Sequence, residues 1–138
     1  MIEKTDDIPA CRAIRREVFV VEQSVPEEDE WDDLDGEAIH LLALDDARQP
    51  IGTARILLQG DTGKIGRVAV VKSARGTGMG AALIRAALDE LRALPGITRA
   101  KLGAQTHAIG FYEKLGFTAY GPEYDDAGIP HRDMVREL

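Results

Sequence analysis

The sequence predicts a mixed α/β sheet, with at least one parallel strand pair set between antiparallel flanks, and three observations predict it. Runs with strand character alternate with turn signals through residues 39–72. The hydrophobic period then changes, and Ile84, Ala87, Leu88 and Leu91 recur at the i, i+3, i+4, i+7 spacing of an amphipathic helix. A further strand-like run, 98–104, follows that helix. Strand, helix and strand in one sheet require a parallel pair joined by a right-handed crossover. A length of 138 residues, with no internal repeat, low-complexity tract or linker, predicts a single domain over 1–138. A chain of this size buries roughly 70% of its unfolded surface, enough for a core without staples.

In chain order, Asp6 or Asp7 is placed to cap a helix carrying Pro9 in its first turn, where a missing N–H costs nothing. Ile8, Cys11, Ile14 and Val18 share one face of it, with Arg12, Arg15 and Arg16 on the others. Strands 39–45 (IHLLALD) and 51–58 (IGTARILL) flank a DARQP hairpin connection. The GDTG turn at 60–63 leads into a strand over 64–72. The helix over 78–93 ends at Pro95-Gly96, and strand 98–104 follows. A short helix over 107–115 stops at Gly116, and two strands, near 117–124 and 132–137, finish the chain.

Composition narrows the function. Hydrophobic residues at 44% and charged residues at 30% belong to a globular chain and not a disordered one. The single cysteine, Cys11, makes neither an internal disulfide nor a cysteine zinc site; it reads as a small core residue and points to a reducing, cytoplasmic compartment. The acidic opening MIEKTDDIPA is not expected to be a signal peptide, and no apolar run approaches the roughly 20 residues of a membrane span. His40, His107 and His131 are too scattered for metal-ligand spacing, so no metal is expected.

Net charge is −7, which argues against nucleic acid as a partner. The charge is uneven. Residues 27–37 (EEDEWDDLDGE) hold eight of the 24 acidic residues and no base, whereas residues 64–101 carry eight Lys/Arg against Asp89 and Glu90. One region suits anions and the other cations. By default the acidic run is a solvated loop.

The most informative segment runs from Val70 to Gly80, strand to glycine loop to helix. Glycines let a backbone approach a ligand, and the free amides of a helix start suit an anion. Gly76, Gly78 and Gly80 give GxGxG, which is neither the dinucleotide fingerprint nor a P-loop, since no Lys-Ser/Thr pair follows.

Arg75-x-x-Gly78-x-Gly80 resembles the R-x-x-G-x-G/A signature of the GNAT N-acetyltransferase superfamily, and Phe111-Tyr112-Glu113-Lys114-Leu115-Gly116-Phe117 resembles its FYEKLGF segment. Further segments are similar to the ElaA-like branch: 18–23 (VFVVEQ), 65–68 (IGRV), 102–105 (LGAQ) and 128–131 (GIPH) followed by Met134. The resemblance implies a sheet of six to seven strands, mostly antiparallel, with a central parallel pair that splays apart and helices on both faces.

It also implies acetyl-CoA as co-substrate, with no metal. Main chain at Val68, Ala69 and Val70 would pair with the pantetheine arm, and Arg75, Gly76, Thr77, Gly78, Met79 and Gly80 would receive the pyrophosphate. Gln105 stands where the family often has Asn, and Phe111 and Lys114 join the cofactor-binding set. Tyr112 is the expected general acid, because a phenol with a pKa near 10 can protonate a departing thiolate. A primary amine is only about 0.1% neutral at physiological pH, so a base matters, and Glu22, His40 and His131 are the candidates. The absence of a nucleophile motif fits direct attack by the amine.

The acceptor stays open between a small amine and a peptide amine, either a lysine or an N-terminus. In this family the acidic run corresponds to an acceptor-side loop, where it would recruit a cationic amine while Trp31 stacks on substrate or anchors the loop. A non-catalytic acyl-CoA sensor of the same fold is the rival reading. Exposed edge strands are compatible with a homodimer. No membrane partner is expected.

Overall fold

The computed structural model describes all residues, 1–138. Seven strands form one sheet: β1 (Ile2–Thr5), β2 (Ile39–Leu44), β3 (Pro50–Gln59), β4 (Thr62–Val70), β5 (Arg99–Gln105), β6 (Thr118–Asp126) and β7 (Ile129–Glu137). They lie in the order β1-β2-β3-β4-β5-β7-β6. Only β4 and β5 run parallel, as the strand–helix–strand order requires. β1 was not foreseen: its four residues are too few for a period-2 signal, and it exists because β2 offers an edge, pairing Thr5 with His40.

β2 shows how the sheet acquires two faces. Its alternate residues Leu42 and Leu44 pack with Cys11, Ile14 and Val18 of α1 (Ile8–Arg15) and its π-helical continuation over Arg16–Glu22. Leu41 and Ala43 point the other way, into a 16-residue core with Leu83, Ile84, Leu88 and Leu91 of α3 (Met79–Arg92). That second face also receives Leu115 and Phe117, which follow α4 (Ile109–Glu113). The expected N-cap is present, with Asp7 accepting from the Ala10 amide at 3.1 Å. No helix is long and apolar enough to cross a membrane. Cys11 is fully buried, and burial pushes its thiol above the ordinary range.

The last hairpin is longer than the sequence predicts. Ala127 and Gly128 both take positive φ, 54° and 83°, which is the two-residue turn that continues a twisted ladder on both sides.

The acidic run is not a solvated loop. It folds as α2 (Glu27–Glu30) and a 3₁₀ turn over Asp35–Glu37, held down on the α1 face by buried arginines. Asp35 accepts from Arg12 Nε at 2.9 Å, Arg15 Nη1 at 2.9 Å and Arg55 Nη1 at 3.0 Å. Arg15 Nε also reaches Glu30 at 2.6 Å, and Arg55 holds Asp32 through both terminal nitrogens, at 2.8 and 2.9 Å. Burial alone would raise the Asp35 carboxyl, but hydrogen bonds from Arg12, Arg15 and Arg55 outweigh it and hold it well below the usual carboxylate range. The recruiting surface expected from eight carboxylates shrinks accordingly. Glu30, Asp32 and Asp35 are neutralised inside the fold, Glu27 pairs with Arg16, and only Glu28, Asp29, Asp33 and Glu37 make no ion pair. Trp31 lies under the Arg12 guanidinium, 4.5 Å from its ring centre, and so anchors the segment.

Candidate functional site

The parallel ladder between β4 and β5 is short, ending after Lys64 pairs with Lys101. Beyond that point β4 pairs with β3 on one edge only, through Thr53–Ala69 and Gly52–Val70. The strands therefore splay, and the free edge of β4 is a row of unpaired backbone groups facing a cleft of about 300 Å³. Val68 lines that cleft from β4, Leu102 and Gln105 from β5, and Tyr112 from α4.

A bulge re-aims β4 at this place. Between the pairs Arg55–Gly66 and Thr53–Ala69 the strand holds one extra residue, and Arg67 takes φ 50° to accommodate it. Its guanidinium crosses to α2 and the following loop, donating to Glu30 O and Asp32 Oδ2 at 3.3 Å each.

At the outer end stands the glycine loop. Gly76 and Gly78 have φ of 78° and 83°, a region where a Cβ is strained, and nothing lies within 4 Å of where a Cβ would sit. Gly78 caps α3 without a side-chain acceptor, leaving the amides of the first helical turn without a protein partner. A phosphate group fits such a turn, with open space above the backbone and unmatched donors below. Phe111 closes the loop laterally: a Cβ on Gly80 would stand 3.5 Å from its ring. Arg75 folds back, donating to Val70 O at 3.0 Å and pairing with Glu22 at 2.6 Å. Lys114 is exposed at the end of α4.

The three candidate bases separate. His131 lines the cleft on β7. Glu22 sits at the loop, bound to Arg75. His40 does not reach the cleft: it is 3% exposed on the α1 face of β2, where its Nε2 donates to Asp35 O at 2.8 Å. Period-2 alternation puts it with Leu42 and Leu44.

Tyr112 packs edge-on against Phe111 and Phe117, at 5.0 and 6.1 Å between ring centres, and its hydroxyl has no protein partner. Burial raises its pKa, so the phenol holds its proton. Gln105 is held between Gln23, to which its amide donates at 3.1 Å, and His107, from which it accepts at 2.7 Å. Cleft groups missed in the sequence include Tyr124, Arg67 and Asp126. Arg67 lies in the 65–68 segment but carried no assigned role, because that role depends on the bulge. Asp126 reaches the cleft because the final hairpin extends past the strand ends that hydrophobicity marks.

A family model described as "Acetyltransferase (GNAT) domain" matches residues 6–138. Protein ElaA of Escherichia coli (strain K12) is 36% identical over 133 residues, which span 94% of this chain and 86% of ElaA. The crystal structure of Escherichia coli ElaA superposes with a TM-score of 0.86 at 32% identity, covering 99% of this chain and 100% of the other. An acyl-CoA N-acyltransferase from Pseudomonas aeruginosa superposes with a TM-score of 0.86 at 35% identity, covering 99% and 97%. The "Uncharacterized N-acetyltransferase YjcF" of Bacillus subtilis (strain 168) is 39% identical over 125 residues, 90% of this chain and 88% of that protein.

Proposed function

This chain belongs to the GNAT acetyltransferase domain family, and on that premise we propose that it moves an acetyl group from acetyl-CoA to a primary amine by direct attack. One observation carries the reading: the free edge of β4 leads from a loop of unmatched amides to a phenol with no protein partner. Main chain at Val68, Ala69 and Val70 pairs with the pantetheine arm, and the turn from Arg75 to Gly80 takes the pyrophosphate. Gln105, Phe111 and Lys114 complete the cofactor contacts. The bound thioester supplies an electrophilic carbonyl and a thiolate leaving group.

The chain's own groups do the proton work. His131 takes the proton from the amine as its nitrogen bonds to the carbonyl carbon, and Tyr112 gives its proton to the sulfur as the C–S bond breaks. Glu22, neutralised by Arg75, acts on the loop and not on the amine. A cleft of about 300 Å³, at the small end for ligand pockets, favours a small amine over a peptide.

The test is Tyr112→Phe, assayed by thiol release from acetyl-CoA across a panel of primary amines and by calorimetric titration of acetyl-CoA. The expected result is a fall in kcat of about 100-fold or more, with affinity nearly unchanged. Unaltered turnover removes Tyr112 from the mechanism. Acetyl-CoA binding by the wild type without turnover on any amine would favour the sensor reading instead.

A further inference from the structure

A second tyrosine, Tyr124, lines the same cleft, and its surroundings differ from those of Tyr112. It sits on β6 directly across from His131 on β7, and the two rings stack with centres 5.9 Å apart and planes 24° from parallel. Its hydroxyl donates to Asp133 Oδ1 at 2.8 Å, which fixes the far end of the ring. Burial and the Asp133 carboxylate both push its pKa well above the ordinary phenol range, so it stays a donor committed to that carboxylate.

A glycine makes this placement available. A Cβ on Gly103 of β5 would lie 2.5 Å from the Tyr124 hydroxyl oxygen, so any other residue there displaces the phenol. Gly103 has no positive φ to explain it, which leaves close approach of Tyr124 as the reason for a glycine inside a strand.

His131 is also held through its backbone and its Nδ1. Its backbone is paired with Gln105 on β5 and with Tyr124 on β6. Its Nδ1 lies 2.8 Å from Ile129 O, and since a carbonyl only accepts, Nδ1 carries the proton. In the neutral ring Nε2 is then the bare nitrogen, and it has no protein partner. The stacking ring and the Ile129 bond together oppose a half-turn about χ2, which would put Cδ2 in place of Nδ1, break the Ile129 bond and free the proton to move to the other nitrogen.

We propose that Tyr124 is a positioning residue: it clamps the His131 ring so that the unprotonated Nε2 is presented to the cleft, and Gly103 exists to admit the clamp. This rests on the reading of His131 as the base, and the experiment separates the two. In the full-length protein, ¹⁵N-edited NMR of the histidine rings reports the tautomer of each directly. The wild type is expected to show His131 as one form, protonated at Nδ1. Tyr124→Leu and Gly103→Ala, which lose the stack by independent routes, are expected to lose that single form and show a mixture. Tyr124→Phe keeps the ring and is expected to restore it. His40, buried and bonded through Nε2, serves as an internal control that stays unchanged when the fold is intact.

A single unchanged His131 tautomer in both Tyr124→Leu and Gly103→Ala, with the His40 signal intact, overturns the positioning role. The reading of His131 as base is tested separately by diethyl pyrocarbonate, which modifies bare imidazole nitrogen. Acetyl-CoA is expected to slow modification of His131 several-fold, as mapped by mass spectrometry. No protection would remove His131 from the reacting site while leaving the tautomer result standing.

Discussion

The cleft and the glycine loop beyond it are built from different materials. On the side proposed for the cofactor the surface is backbone: the free edge of β4, the turn at Gly76 and Gly78, and the first amides of α3. On the side proposed for the acceptor the wall is side chains: Arg67 crossing to α2, Asp29 on α2 itself, and Tyr124 and His131 from the last hairpin. The backbone wall costs little to hold, because the sheet and α3 exist for other reasons. The side-chain wall depends on charges taken out of water, and each must be matched. A backbone wall suits a ligand common to many relatives, whereas a side-chain wall can change its ligand by exchange of a few residues.

The largest expected effect follows from that dependence. Arg15 is 1% exposed and bonds to both Glu30 and Asp35. Arg15→Met takes from buried Glu30 its closest partner and from Asp35 one of three, and about 3 kcal/mol of stability should be lost, as read by urea unfolding. Asp35→Asn at the same centre adds a pH signature. The folded-state pKa of Asp35 lies below its unfolded value of about 3.9, so its contribution is complete above that value and lost as pH falls through the folded one. The stability gap between wild type and Asp35→Asn should therefore narrow below about pH 4. A gap of equal size at pH 7 and pH 3 would mean that the arginines do not depend on the Asp35 charge, and the contrast between the two walls would weaken.

How far each wall was legible in the sequence follows from its material. Glycine positions report backbone needs, so the GxGxG spacing marked a turn directly, and the positive-φ turn at Gly76 and Gly78 is where that spacing put it. Helical periodicity likewise placed α3 within a residue of both ends, and the capping residue marked where α1 starts. The acidic run was misleading because composition is blind to partners. Arg12, Arg15 and Arg55 lie 20 or more positions from Asp35 in sequence, and nothing local says that they converge on it. β1 escaped for a similar reason: four residues gain their strand character from β2 and not from themselves. His40 was a candidate base as a titratable group singled out through the family resemblance, and strand alternation would have placed it with the α1-facing residues.

A middle-sized effect sharpens the cofactor side. Gly78→Asp puts a carboxylate at the N-terminus of α3, on a residue whose φ of 83° disfavours a side chain. The affinity for acetyl-CoA should fall about tenfold, matching the roughly 1–2 kcal/mol of one opposed charge at a helix start. Stability in urea should change far less than in Arg15→Met, because nothing lies within 4 Å of the new side chain's first carbon. If Gly78→Asp lowered stability while leaving affinity intact, the loop would be structural and its open amides incidental.

The smallest expected effect asks whether any of the acidic run serves the ligand through charge alone. Glu28 and Asp33 are exposed, make no ion pair and do not line the cleft, whereas Asp29 does line it. Neutralising the first two as Glu28→Gln and Asp33→Asn should leave stability within about 0.5 kcal/mol, as for ordinary surface substitutions. It should also leave the KM for a cationic amine unchanged at physiological salt, where the screening length is about 8 Å. Asp29→Asn alone should then raise KM for a cationic amine more than the double change does. Were the double variant to raise KM more at low salt, the whole surface would be steering the amine, and the acceptor wall would extend beyond the side chains that touch the cleft.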